Sequence, residues 1–164
     1  MLNRKGFTLI EVVVVTLIIA ALAVLVAPSF KNSAVTNDME KAKIGLVELT
    51  NAVKLFYEVN PISRIEGKLE QANFDSLTDA SAQGYAYLNN ANRWSLRSGS
   101  GTDYSLRGIN CVYTIGTRTA SEVTSASCKF KKDVDDAGEC YRFYILRSNP
   151  AVIKKERLNS CESI

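Results

Sequence analysis

The stretch from Lys5 to Phe30, KGFTLIEVVVVTLIIAALAVLVAPSF, constrains this chain more than any other. From Val12 to Ala27 its only polar side chain is Thr16. Extended by Phe7, Leu9 and Ile10, the run falls within the ~17–25 residues that a membrane-spanning helix needs. Its valine and isoleucine content would suit a buried strand, but strands usually run ~3–10 residues, so the segment is read as a helix. Three details set it apart from a removable secretory signal. The part before it, Met1–Gly6, is very short, with Arg4 and Lys5 as its basic residues. No small-x-small cleavage pattern follows the run in a loop, because Ala21, Ala23 and Ala27 lie within the run itself. Glu11 sits inside the apolar segment, where a carboxylate costs up to ~2.5–3.5 kcal/mol at a bilayer centre and marks function. Near the far end, Pro28 removes a helix hydrogen bond, which kinks the helix or closes the span.

The run Lys5-Gly6-Phe7-Thr8-Leu9-Ile10-Glu11 resembles the prepilin processing motif of type IV pilins and of the pseudopilins of type II secretion. The resemblance covers about the first 30 residues and is specific. It implies cleavage by a prepilin peptidase between Gly6 and Phe7, N-methylation of Phe7, and an assembly role for Glu11. It also implies that Pro28 is the proline that kinks the family's long helix. Three segments follow from it: a leader at 1–6, a transmembrane and filament-core helix at 7–30, and a head at 31–164. The expected fold class is α+β, a pilin roll in which a long N-terminal membrane-spanning helix packs its C-terminal half on a small antiparallel sheet. The implied partners are the peptidase, other pilin subunits and an inner-membrane assembly platform. The implied location is the inner membrane for the precursor and a surface pilus, or a periplasmic pseudopilus, for the processed chain.

Electrostatics fit that picture. Arg4 and Lys5 hold the leader on the cytoplasmic side. Cleavage would create a cationic amino terminus at Phe7. In a helical filament, Glu11 of one subunit can pair with that amine on a neighbour, so that neither charge is buried alone. Because one stagger aligns the two, the pair would also set axial register.

The chain of 164 residues suits one small domain plus an anchor. Twenty basic residues stand against 17 acidic ones, and loss of Arg4 and Lys5 lowers the basic count to 18. A near-neutral processed chain offers no electrostatic case for nucleic acid. There is no histidine, which removes Ser-His and Cys-His catalysis and histidine-bearing zinc sites. No constellation of residues supports an enzyme.

Cys111, Cys128, Cys140 and Cys161 all lie in the last third, with no C-x-x-C pair. An exported chain with an even count reads as two disulfides, with three connectivities open. Cys111–Cys128 with Cys140–Cys161 is the favoured pairing. The first bridge would staple neighbouring strands; the second resembles the loop closed by a disulfide near the C terminus of many pilins.

After the polar stretch 31–37, Asn37-Asp38-Met39-Glu40 reads as a capped helix start. Met39, Ala42, Leu46, Leu49, Val53 and Phe56 then mark one apolar helix face, which Ile44, Val47 and Leu55 widen. Asn60-Pro61 stops it. If Pro28 only bends the helix, Phe7 to about Asn60 is one rod of roughly 80 Å; otherwise two helices meet at a flexible joint. A helical turn is expected around Phe74–Leu77. Tyr85, Tyr87, Leu88 and Trp94 are candidates for packing on the long helix. After the loop at 98–103, three or four short strands are expected: Tyr104–Arg107, Cys111–Ile115, Ser127–Lys131 and Cys140–Leu146. Asn149-Pro150 is read as the end of the sheet, with Ala151–Leu158 a short helix or a loop tied by Cys161.

No cofactor is expected, but Asp133, Asp135 and Asp136 form one weak calcium candidate. It is not an EF-hand, since Ala137 and Tyr144 stand where ligands would be needed. Lys129, Lys131 and Lys132 interleave with Phe130 in the manner of a nucleic-acid contact, but the acids that follow cancel their field. The reading is therefore a structural filament subunit for adhesion, motility or surface contact. The alternatives are a pseudopilin of type II secretion, against which four cysteines weigh, and a minor pilin that captures DNA.

Overall fold

The computed structural model describes residues 8–97, 101–132, 135–162 and 164, leaving out the side chains of 25–32. Its backbone is an α+β arrangement in which the C-terminal half of one long helix lies across an antiparallel sheet. That helix, α1 (Leu9–Val59), has 51 residues and is about 77 Å long at ~1.5 Å per residue. It passes through Pro28 and Asn37 and ends at Asn60, whose amide caps Phe56 O at 2.8 Å. The helix start read at Asn37 is thus not a start. The flanking acids instead make one-turn ion pairs, Asp38 with Lys41 at 3.0 Å and Glu40 with Lys43 at 2.6 Å.

Ala42, Leu46, Leu49, Val53 and Phe56, at helical spacing, are buried. Ile44, Val47 and Leu55 do not widen this face. They are 48%, 39% and 38% exposed, because residues two positions from a buried one lie ~200° round the helix. The buried face rests mainly on β5 (Glu122–Phe130) and β6 (Glu139–Leu146). Within it, Thr50 donates to Leu46 O at 2.7 Å and shares a hydrogen bond with the buried Thr124 of β5.

The main sheet has the order β1-β4-β5-β6-β7, with every pair antiparallel. Its outer members are β1 (Gly67–Lys68) and β7 (Asn149–Arg157), and β4 is Asn110–Ile115. A separate hairpin pairs β2 (Trp94–Leu96) with β3 (Tyr104–Leu106). Between α1 and that hairpin, α2 (Gln71–Thr78) buries Phe74 and Leu77, and Phe74 stacks on Tyr104 with ring centres 3.8 Å apart. Tyr87 meets Phe56 edge-on at 5.3 Å, and Trp94 meets Tyr113 edge-on at 4.8 Å. Tyr85 is 43% exposed, so it is not part of the core.

The C-terminal segment departs most from the sequence reading. Asn149-Pro150 does not end the sheet, and 151–157 is neither helix nor loop but most of β7. The register explains why. Leu146 pairs with Asn149 and Ile145 with Ile153, so residues 150–152 bulge out of the ladder. Pro150 sits in that bulge, on an outer strand, where its missing N–H forfeits no ladder bond. The lysine-rich remainder then pairs with Tyr141–Ile145, and the Lys155 ammonium lies 4.0 Å from the centre of the Tyr141 ring.

Gly45 marks the closest approach of α1 to its surroundings. A Cβ there would come within 2.4 Å of Leu106 Cδ1 and 2.8 Å of Tyr113 Oη, both on buried side chains. Gly45→Val should therefore destabilise the head by about 1–3 kcal/mol through overpacking, measured by chemical denaturation. Unchanged stability would show that the helix does not lie as close as described.

Candidate functional site

The N-terminal end of α1 carries the candidate site. Thr8 is the N-cap, with extended backbone. Its N–H and its hydroxyl both donate to Glu11 Oε2, at 2.8 and 2.9 Å, and the Glu11 amide donates back to Thr8 Oγ1 at 3.4 Å. This is a reciprocal capping box, which satisfies amides that a helix start leaves without partners. The carboxylate also sits where the positive end of the helix dipole favours an anion. Among the described residues nothing is bonded to Glu11 Oε1. Thr8 was missed as a functional residue, although its signal, threonine three residues before a glutamate at the head of an apolar run, stands in the sequence. Gly6 and Phe7, the residues flanking the expected cut, lie outside the described residues, as does the side chain of Pro28.

Beyond the cap, α1 exposes an apolar surface from Leu9 to Val24, interrupted by Thr16. Leu9, Leu17, Ile19 and Val24 are 83%, 65%, 60% and 74% exposed. Thr16 satisfies its hydroxyl locally by donating to Val13 O at 2.9 Å. Among the described residues, no helix is long and apolar enough to cross a membrane. The span expected from sequence relied on 25–30, whose side chains are not described. The described apolar stretch 9–24 covers only about 24 Å at ~1.5 Å per residue, short of a ~30 Å hydrocarbon core.

The cysteines form two bridges. Cys111 and Cys128 face each other across β4 and β5 with Cα atoms 4.0 Å apart. Cys140, on β6, is joined to Cys161 beyond β7, with Cα atoms 5.7 Å apart. Leu158 N also donates to Cys140 O at 2.9 Å, so the tail is held at two points.

Of the calcium candidates, Asp133 lies outside the described residues. Asp136 is committed to its own turn, accepting from Gly138 N at 3.1 Å and Lys132 N at 3.2 Å. These two bonds, the Gly138 amide foremost, hold its carboxyl below the usual range. Among the described residues no group of three or more metal-ligating side chains gathers. Lys129, Lys131 and Lys132 fall at the end of β5 and on this same turn, next to the Asp136 carboxylate.

The family described as "Prokaryotic N-terminal methylation motif" matches residues 1–27. The chain therefore carries the prepilin signature of type IV pilins and pseudopilins, at which a prepilin peptidase acts and through which subunits assemble. Neither the curated proteins nor the solved structures include a match to this chain.

Thr8→Val keeps the side-chain shape but removes the cap. Amide exchange in the first turn of α1, measured on the full chain in detergent micelles, should speed up by the equivalent of about 1 kcal/mol, and Thr8→Ser should restore protection. Equal protection in Thr8→Val would show that the Thr8–Glu11 box does not hold the helix start.

Proposed function

We propose that this chain is a structural subunit of a type IV pilus. It is cut after Gly6, methylated on Phe7, held in the inner membrane by the apolar helix from Phe7 to about Phe30, and drawn from there into a filament for adhesion, motility or surface contact. One observation carries the reading: the processing motif at residues 1–27 overlaps the start of a helix whose described leucines, isoleucines and valines from Leu9 to Val24 are exposed.

Physical chemistry then dictates the cycle. In lipid, the exposed valines, leucines and isoleucines cost nothing, because acyl chains are as apolar as they are. Out of lipid, each side chain of this kind left in water forgoes ~1.5–3 kcal/mol of burial. A chain extracted from the membrane must therefore bury its rod against the rods of other subunits. Glu11 is the point where that bundle needs charge matching. Its Oε2 is occupied by Thr8, and its Oε1 faces the task of meeting the Phe7 amine of a neighbour. Pseudopilins share the motif. The two C-terminal disulfides favour the pilus, since pseudopilins more often stabilise that region with calcium.

Two variants test this reading. Gly6→Leu should leave an uncut precursor, seen by mass spectrometry of the membrane fraction; normal cleavage would count against the peptidase. Glu11→Ala should be cleaved and inserted, yet lose most of its sheared filament yield, since an amine buried without its partner costs about 3–5 kcal/mol per subunit. A wild-type yield would remove Glu11 from assembly.

A further inference from the structure

Where α1 ends, two exposed loops flank an open cleft of about 460 Å³. One loop follows α1 (61–66); the other joins β4 to β5 (116–121). Ser63, Arg64, Glu66, Thr117, Arg118 and Thr119 line it. We infer that this cleft is a binding site for an oxyanion, a phosphate or sulfate group, carried on a larger molecule such as an acidic glycan. The inference stands apart from the filament reading.

Both walls are fixed in advance. The Arg118 guanidinium donates to Tyr57 O and Pro61 O and lies 5.3 Å from the centre of the Tyr57 ring. The Tyr57 hydroxyl donates to Ile65 O at 2.5 Å, pinning the other end of the first loop. On the second loop, Arg147 donates to Thr117 O at 3.2 Å and Ala120 O at 3.1 Å. At its start Gly116 passes so close to β5 that a Cβ would lie 2.0 Å from Glu122 O. Loops held in this way bind without a large ordering cost.

The chemistry of the lining selects the ligand. The Arg64 guanidinium, which can meet two such oxygens with parallel N–H groups, and the hydroxyls of Ser63, Thr117 and Thr119 are donors suited to phosphate or sulfate. Both terminal nitrogens of Arg118 already donate to Tyr57 O and Pro61 O, so Arg118 contributes charge. The last turn of α1 holds no basic residue, so part of the Arg118 charge offsets the carbonyl end of that helix. Arg64, exposed on the opposite wall, supplies a second positive charge. Glu66 is the acid on the lining, and among the described residues no ion pair joins it to Arg64 or Arg118. The volume exceeds what one oxyanion fills and lies within the ~300–1,000 Å³ of small-molecule sites, which favours an anion attached to a carrier.

The test is calorimetric titration of the full chain, in non-ionic micelles at low salt, with inorganic phosphate and with a sulfated heparin disaccharide. Saturable binding is expected, tighter for the disaccharide, and weakening as salt screens the exposed Arg64. Arg64→Gln should weaken it about tenfold or more, the loss of one charge-assisted contact, with the melting curve unchanged. Neutralising Lys131 and Lys132 together should leave binding as it was. Phosphate binding as tightly as the disaccharide would support the site but assign it to free oxyanions. The inference is overturned if neither probe saturates, if Arg64→Gln binds like wild type, or if the lysine variant loses binding as much as Arg64→Gln does.

Discussion

Everything in this structure depends on one helix that must satisfy two different surroundings. The C-terminal half of α1 supplies Leu46, Leu49, Val53 and Phe56 to the core, and among the described residues no other long helix covers that face of the sheet. In the N-terminal half, the described valines, leucines and isoleucines from Leu9 to Val24 are exposed. A helix hydrophobic all round belongs in a membrane or among other helices. The contrast between the halves divides the helix: a folded head on one end, and on the other an exposed apolar surface of the kind that lipid or packing against other helices satisfies.

The head offsets its small size with covalent and charged ties. Cys111–Cys128 joins two strands that are already paired. Cys140–Cys161 closes a longer loop around β7, and constraining the unfolded chain over such a loop is worth about 3 kcal/mol in chain-entropy terms. β7 needs that help. It is the outermost strand, nearly all of it exposed, and its lysines discourage edge-to-edge pairing with other chains. Across α1, Glu48 receives Arg93 at 2.6 Å and Asn90 at 3.2 Å, which locks the segment before β2 to the helix.

Those parts of the fold written in long-range periodicity were legible in the sequence. The buried face from Ala42 to Phe56 follows from spacing and the helix end at Asn60 from Pro61, and the turn read at Phe74–Leu77 lies within α2. The sequence leaves open whether the helix continues through Pro28. What could not be read was set by pairing. β1 has two residues and β2 three, too short for any alternation to show. The first half of β5 carries the buried Thr124 and Ser125, whose polarity hides their place in the sheet. Pro150 signalled a stop because the bulge that accommodates it depends on the register with β6. At the N terminus, Glu11 stood out as an acid in an apolar run, whereas its partner Thr8 did not, because a hydroxyl there has innocent explanations that a hydrogen-bonded carboxylate does not.

The central claim is that the chain is processed after Gly6 and exported onto the surface as a disulfide-bonded filament subunit. Intact mass spectrometry of material sheared from cells, before and after reduction, tests it most directly. The account predicts a chain that begins at methylated Phe7 and gains four hydrogens on reduction of its two bridges. A processed chain confined to the cell envelope would contradict the surface pilus, and an uncut chain beginning at Met1 would contradict the processing itself.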